Sequence, residues 1–280
     1  MSNTSGSVSF FYGNAFGRCL LKTVMCLHLD RIGVWFLRSP MSRPMMRRYV
    51  KKNGIAVTPE EMAQFRSYRE MFIRTRTPVA HDTEKTHLIS PCDGWLSVFP
   101  IDEHCCFSIK GSHYSISDFL QDSDLAQKYD NGMCLIFRLC ASDYHHYCYI
   151  DDGYQGENHF IPGQLHSVQP IACEKYPVYV KNRRSWCLLE TDNFGPVVQC
   201  EIGALIVGGI VNDKENTRFS KAEEKGRFEL AGSTIVLLLE KGRIDLLPAV
   251  AQGLAQESEV RVLQGQWVAT AERNGSENKL

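Results

Sequence analysis

The sequence predicts an α+β protein: a predominantly antiparallel β domain over residues 81–280, preceded by an α-helical, basic region over residues 1–80. Three observations carry this. After residue 80 the apolar residues come in short β-branched runs of three to eight residues, bounded by Gly, Pro, Asn and Asp clusters. Such runs suit strands and are too short for most helices. Before residue 80 the chain holds a helix-start signature at Thr58-Pro59-Glu60-Glu61. Charge divides at the same place: residues 1–80 carry 13 Lys and Arg against 4 Asp and Glu, and residues 81–280 carry 18 against 28, within a net charge of −1.

The chain has 280 residues, 44% hydrophobic and 22% charged. At ~100–200 residues per domain this is one large domain, or one domain with an appendage. The composition excludes a disordered, collagen-like or fibrous chain, and the length permits an enzyme-sized core. No apolar run approaches the ~18 residues of a transmembrane helix. Met1 to Ser9 is Ser-rich and lacks a basic residue, so no classical signal peptide is expected there. The cysteines number eleven and form no C-x-x-C pair. An odd count without that spacing argues against a zinc site or a disulfide framework, and for reduced, mostly buried thiols in a cytosolic protein.

In chain order, Arg18, Lys22, Arg31 and Arg38 flank apolar residues that include Phe16, Leu20, Leu27, Ile32, Trp35 and Phe36. Apolar surface with basic flanks and a Trp suits a segment lying on a membrane, where each cation adds ~1 kcal/mol of attraction to an anionic leaflet. The same pattern also suits a helix packed on its own domain. No helix-turn-helix, zinc-finger or RNA-binding signature is present, so no nucleic-acid partner is expected. Thr58 can cap a helix, Pro59 suits its first turn and Glu61 completes a capping box. Met62, Phe65, Tyr68 and Phe72 then mark one helical face up to Pro78, and the polar stretch His81 to Thr86 connects to the β domain. Expected strands there include Leu135 to Leu139, Val178 to Val180, Trp186 to Leu189, Val197 to Ile202, Ala204 to Val207 and Ile235 to Leu239. Ser115 to Leu120 reads as a short helix opened by Ser115 or Ser117. The polar tail after Thr270 reads as frayed.

Four clusters could carry chemistry: Ser90-Pro91-Cys92-Asp93-Gly94, Lys110-Gly111-Ser112-His113-Tyr114-Ser115, Asp143-Tyr144-His145-His146-Tyr147-Cys148, and Lys225 to Thr234 with its Ala231-Gly232-Ser233-Thr234. Singly they are weak. Asp93 alone reads as a turn aspartate and His145 as a hydrogen-bonded loop histidine. The Gly-Ser-Thr is neither a nucleophile elbow nor a P-loop. Arg218, Lys221 and Lys225 read as a solvated charged stretch, or as contacts for a phosphate.

In this order and spacing the clusters resemble the phosphatidylserine decarboxylase family from about Ser67 to Leu246. The match includes Phe72-Ile73-Arg74, Pro91 to Gly94, Lys110 to Ser115, Asp143 to His145 and Pro162-Gly163. It continues through Leu165 to Val168, Asn193 to Gly195, Val207 to Ile210 and Gly232 to Thr234. The resemblance implies a proenzyme that cuts itself at Gly232–Ser233 into a β subunit, residues 1–232, and an α subunit, residues 233–280. Ser233 Oγ would attack the Gly232 carbonyl, and the ester would then eliminate and hydrolyse to leave a covalent pyruvoyl group at residue 233. Glycine at 232 permits close approach to that carbonyl. By the same resemblance His145 is the base that activates Ser233, and Asp93 orients it.

The pyruvoyl ketone would form a Schiff base with phosphatidylserine and accept electrons as carbon dioxide leaves, giving phosphatidylethanolamine. Neither a metal nor pyridoxal phosphate is expected. Lys110, Tyr114, Ser115 and His166 are candidates for the substrate pocket. Implied partners are a phospholipid substrate and a membrane surface, met peripherally on the cytoplasmic face of the cell membrane, with a homodimer of αβ pairs. Two alternatives stay open: a pyruvoyl-dependent decarboxylase of a soluble amino acid, and a non-catalytic membrane-binding protein on the same fold.

One departure matters. Many members read Tyr-His-Arg-x-His-x-Pro, where this chain has Tyr144-His145-His146-Tyr147-Cys148-Tyr149-Ile150. If the base elsewhere is the second histidine, His145, His146 or the distant His166 must serve here. His145 holds the matching position, and an ordinary thiol, with a pKa near ~8.5, makes Cys148 a poor base.

Overall fold

A computed structural model describes residues 6–14, 16–17, 19–20, 23, 30–77, 80–109, 112–140, 142–164, 166–167, 177–204, 209–230 and 233–272. The strands, in chain order, are β1 (His87–Ile89), β2 (Gly94–Pro100), β3 (Cys106–Ile109), β4 (Ser112–Ser115), β5 (Met133–Leu139) and β6 (His146–Cys148). They continue with β7 (Gly153–Gln155), β8 (His159–Ile161), β9 (Arg184–Thr191), β10 (Gly195–Ile202), β11 (Ile210–Asn212) and β12 (Thr217–Phe219). The last are β13 (Glu224–Phe228), β14 (Ser233–Leu239), β15 (Ile244–Leu246), β16 (Val260–Val262) and β17 (Trp267–Ala271).

The main sheet has nine strands in the order β12-β7-β9-β10-β14-β5-β2-β16, with β8 also paired to β9. Its pairings are antiparallel. Strand β14 lies inside it, paired to β10 from Val198↔Leu238 to Ile202↔Thr234 and to β5 from Ser233↔Leu139 to Leu239↔Met133. All of β14 is buried because both faces are covered. Ile235, Leu237 and Leu239 join one core with Leu135, Phe137 and Leu139. Val236 and Leu238 join the opposite core with Ile136, Val198 and Ile202. Each such side chain contributes ~1.5–3 kcal/mol on burial. Two three-stranded sheets, β1-β17-β15 and β11-β13-β6, and the hairpin β3-β4 complete the β structure.

Ahead of these strands run helices Gly6–Gly13, Asp30–Arg38, Arg43–Asn53, Pro59–Gln64 and Tyr68–Phe72. Helix Arg43–Asn53 stops at Gly54, which takes the left-handed conformation (φ +61°) and donates its N–H to Val50 O. The Thr58 capping box forms. Where the spacing predicts one helix through Phe72, there are two. Ser67 opens a fresh helix by accepting from Glu70 N, and Tyr68 N donates to Ser42 Oγ at 2.8 Å, which diverts the backbone. Met46, Val50, Tyr68, Met71 and Phe72 form a third core, closed by Leu230 from the loop ahead of β14.

Ser115 caps helix Ile116–Leu120 as expected. The strands expected at 135–139, 186–189, 197–202 and 235–239 lie in β5, β9, β10 and β14. Val178 to Val180 does not form a strand. It belongs to the helical turn Val178–Lys181, whose bonds run from Lys181 N to Pro177 O and from Asn182 N to Val178 O. Proline before a single turn favours this over a ladder it cannot donate to. Of the strand expected at 204–207, only Ala204 is among the described residues. Lys225 is not solvated: it is fully buried, and its Nζ donates to Glu201 Oε1 and Asn212 Oδ1, each at 2.9 Å. Nine described cysteines are free thiols. No helix among the described residues is long and apolar enough to cross a membrane.

Candidate active site

Ser233 opens β14 opposite Leu139, and β5 leads from Leu139 into the turn that carries His145. Strand pairing therefore brings residues 88 apart in sequence into contact. His145 Nδ1 lies 3.1 Å from Ser233 Oγ, and both residues are completely buried. The other ring nitrogen, Nε2, lies 3.0 Å from Cys140 O. A carbonyl can only accept, so Nε2 carries the proton and Nδ1 presents its lone pair to the Ser233 hydroxyl. Burial lowers the imidazole pKa to about 3, against a smaller opposing contribution from the Cys140 carbonyl. The ring is thus neutral at physiological pH. Phe72 lies against it at 4.2 Å between ring centroids, and Phe228 meets it edge-on at 6.4 Å.

The group that orients His145 is a main-chain carbonyl, and that carbonyl is itself held. Cys140 O also accepts from Asp143 N at 2.9 Å, while Cys140 N donates to Asp143 Oδ2 at 2.7 Å. Arg261 grips both oxygens of Asp143, at 2.9 and 3.2 Å. Bidentate pairing of this kind fixes direction as well as distance. A relay of contacts runs from Arg261 through Asp143 and Cys140 to His145 and Ser233.

Asp93 is nearby but differently engaged. Arg76 donates to its two oxygens at 2.6 and 3.1 Å, and Gln264 N donates at 2.9 Å. The Arg76 guanidinium also sits over the Tyr144 ring, 4.2 Å from its centroid. His146 is committed to Glu224 Oε1 at 2.9 Å and Ile73 O at 3.2 Å. Burial pushes the Cys148 thiol up to about 12, so it stays protonated at neutral pH. Among the histidines and cysteines described, His145 is the one placed on Ser233.

The remaining candidates have other partners. His166 Nε2 is 2.6 Å from Gln164 Oε1, and its ring packs edge-on to Tyr12. Tyr114 stacks on Phe107 within the core on one face of the main sheet. Ser115 Oγ accepts from Asp118 N as a helix cap. Lys110 and Gly232 lie outside the described residues. Among those described, no three metal-ligating side chains converge.

Arg76, Arg261 and the Cys140 carbonyl escape a reading by motif. A backbone carbonyl has no sequence signature, and Arg76 is distinguished only by its charge. A cleft of about 510 Å³ adjoins Arg76, lined also by Tyr144, Cys148, Lys221, Glu224 and Gln264. Lys221 Nζ donates to Glu84 O and His87 O there, at 2.6 and 2.7 Å.

The arrangement has the parts of an activated serine: a buried hydroxyl, an unprotonated nitrogen and a fixed tautomer. Comparison with known proteins shows the family to which the chain is similar. A sequence model described as phosphatidylserine decarboxylase matches residues 68–270. Phosphatidylserine decarboxylase proenzyme 2 of Clostridium acetobutylicum is 39% identical over 240 residues, covering 85% of this chain and 82% of that protein. The phosphatidylserine decarboxylase proenzymes of Ruminiclostridium cellulolyticum and Desulfitobacterium hafniense are 36% and 32% identical, covering 83% and 93% of this chain and 80% and 90% of their own lengths. The matched residues take in β1 to β16, nearly all of β17 and the whole Ser233–His145 site, and the chain belongs to the phosphatidylserine decarboxylase family.

Proposed function

We propose that this chain is a self-processing, membrane-associated phosphatidylserine decarboxylase, cut between Gly232 and Ser233. The observation that carries the proposal is the 3.1 Å contact between Ser233 Oγ and the unprotonated Nδ1 of His145. As Oγ bonds to the Gly232 carbonyl carbon, its proton passes to His145 Nδ1. The imidazolium returns the proton to the departing Ser233 nitrogen as the C–N bond breaks, which leaves an ester. The Cys140 carbonyl holds Nε2–H throughout, so the ring cannot turn its wrong nitrogen to the serine. Asp93, locked to Arg76, supports the site through that pair and the Gln264 backbone.

Elimination of the Gly232 carboxylate and hydrolysis with release of ammonia would convert residue 233 to a pyruvoyl group, which would supply the electron sink that amino-acid decarboxylation needs and no ordinary side chain provides. The setting fits such a group, since residue 233 heads a strand that pairing holds on both sides. Phe72 and Phe228 pack on the His145 ring beside it. The cleft beside Arg76 is lined by Arg76, Lys221 and Glu224, so a phosphoserine headgroup would bind there by exchanging their present partners for its phosphate and ammonium.

The N-terminal helices support docking on the cytoplasmic leaflet. Ile32 and Trp35 on helix Asp30–Arg38 are 62% and 64% exposed, and Met41 beside it is 68% exposed. Arg47, Arg48, Lys51 and Lys52 are exposed on the next helix. Aromatic and aliphatic groups beside cations bind an anionic interface.

Intact mass under denaturing conditions tests the core of the proposal. The wild type should give fragments of residues 1–232 and 233–280, the smaller blocked at its N-terminus, while Ser233→Ala stays whole. A wild-type chain that remains uncut under activity conditions would refute it. Release of carbon dioxide from vesicles of phosphatidylserine, and not from free serine, tests the substrate.

A further inference from the structure

Glu229 precedes the proposed scissile bond, with Leu230, Ala231 and Gly232 between it and Ser233. Any part it plays in processing rests on the cleavage proposed for this chain. Its side chain is only 16% exposed, yet it receives two cations from distant parts of the chain. Arg38 donates to Oε2 at 2.8 Å, and Arg69 donates to Oε1. Burial alone would raise the carboxyl pKa; the two guanidiniums outweigh it and hold the group below its usual range. The main chain is fixed as well, since Glu229 N donates to Gly209 O at 2.9 Å. A Cβ on Gly209 would sit 2.6 Å from Glu229 Cβ and Cγ, so this approach requires glycine. Leu230, the next residue, is buried in the helical core against the cluster that includes Met71 and Phe72.

Helix Tyr68–Phe72 therefore reaches both halves of the reaction. Its Arg69 holds Glu229, on the chain entering the scissile bond. Its Phe72 lies on the ring of His145, the base. Docking on a membrane asks for neither contact.

We infer that Glu229 is a positioning residue for self-cleavage, through which Arg38 and Arg69 brace the segment that leads to Ser233. The N-terminal helices thus have a task before any substrate arrives. They fix Glu229 and Leu230, the last described residues ahead of the proposed bond. Intramolecular attack depends on reacting atoms lying within ~3–3.5 Å, and a 1 Å displacement costs ~10²-fold.

The test is the rate of cutting in the full chain, made by cell-free synthesis in detergent, quenched in denaturant and read by intact mass. Relative to the wild type, Glu229→Gln, Arg69→Met and Gly209→Ala should each cut at least about tenfold more slowly. Gly209→Ala removes no charge and displaces the Glu229 side chain. Arg69→Lys, which keeps a cation, should recover part of the rate. In an uncleavable Ser233→Ala background, Glu229→Gln should leave the melting temperature nearly unchanged. Wild-type cutting in Glu229→Gln and Gly209→Ala would overturn the inference. So would slow cutting matched by a fall in melting temperature, which would mark Glu229 as merely structural. A wild-type chain that is never cut would instead overturn the cleavage reading beneath it.

Discussion

Burial of His145 should make the protein acid-sensitive by a calculable amount. The imidazole titrates at about 3 in the folded chain, against an ordinary 6.5 when exposed by unfolding. Between these values the unfolded chain binds a proton that the native chain refuses. Stability is therefore full above about pH 6.5 and falls as the pH drops towards 3. From pH 7 to pH 5 this one group removes about 2 kcal/mol, which at ~1–3 kcal/mol per molar urea is a midpoint shift near 1 M. The assay is urea unfolding of the uncleavable Ser233→Ala chain at the two pH values, beside the same chain carrying His145→Gln. The other histidines contribute to both chains and cancel in the difference. The chain with His145 should lose about 2 kcal/mol more than its partner. Equal losses would refute the reasoning, for they would mean that His145 takes up its proton in the folded state.

Other expectations rest on the same geometry. Because Nδ1 stays unprotonated, the cutting rate should show no inflection near pH 6.5; a fall to half at that pH, followed by intact mass, would contradict a buried neutral base. Phe72→Ala removes a ring that is 1% exposed and lies on His145; it should cost ~3–5 kcal/mol in urea unfolding, and a loss below about 1 kcal/mol would count against the packing described. Lys225→Met leaves Glu201 charged and buried, and should cost ~3–5 kcal/mol, most of it recovered by adding Glu201→Leu; a double variant as unstable as the single one would contradict this. Asp143→Ala should slow cutting by about tenfold, because Cys140 N and Arg261 lose the carboxylate that fixes the Cys140 peptide, and an unchanged rate would remove Asp143 from the relay.

Much of the β domain is legible in the sequence because its longest strands are covered on both faces. Strand β14 is apolar at every position from Ile235 to Leu239, and β10 and β5 read nearly as clearly. Three-residue strands such as β6, β7 and β11 carry no such pattern, since their partners decide their register. Val178 to Val180 has strand composition, but one turn after a proline has no ladder to join. Ser233 and His145 are legible through the family resemblance. Their supporting contacts are not, because the partner of His145 Nε2 is a peptide carbonyl that any residue could offer. The resemblance suggests Asp93 as the group that orients His145, and in the fold Arg76 occupies both its oxygens. Lys225 looks solvated among charged neighbours; its partner Glu201 lies 24 residues away, on a strand whose burial only the fold reveals.

The interior place of β14 has a consequence for the life of the protein once the proposed cut is made. A cut at its first residue leaves the small fragment supplying an inner strand of the main sheet, the edge strand β16, and two of the three strands of the β1-β17-β15 sheet. Neither fragment then holds a complete core. Before the cut, folding is a unimolecular event and independent of dilution. Afterwards the same structure, once lost to denaturant, can return only if two chains meet, so recovery should fall as the protein is diluted. The working molecule would persist because its barrier to unfolding is high, and its age would be set by that rate and not by an equilibrium it can no longer reach alone.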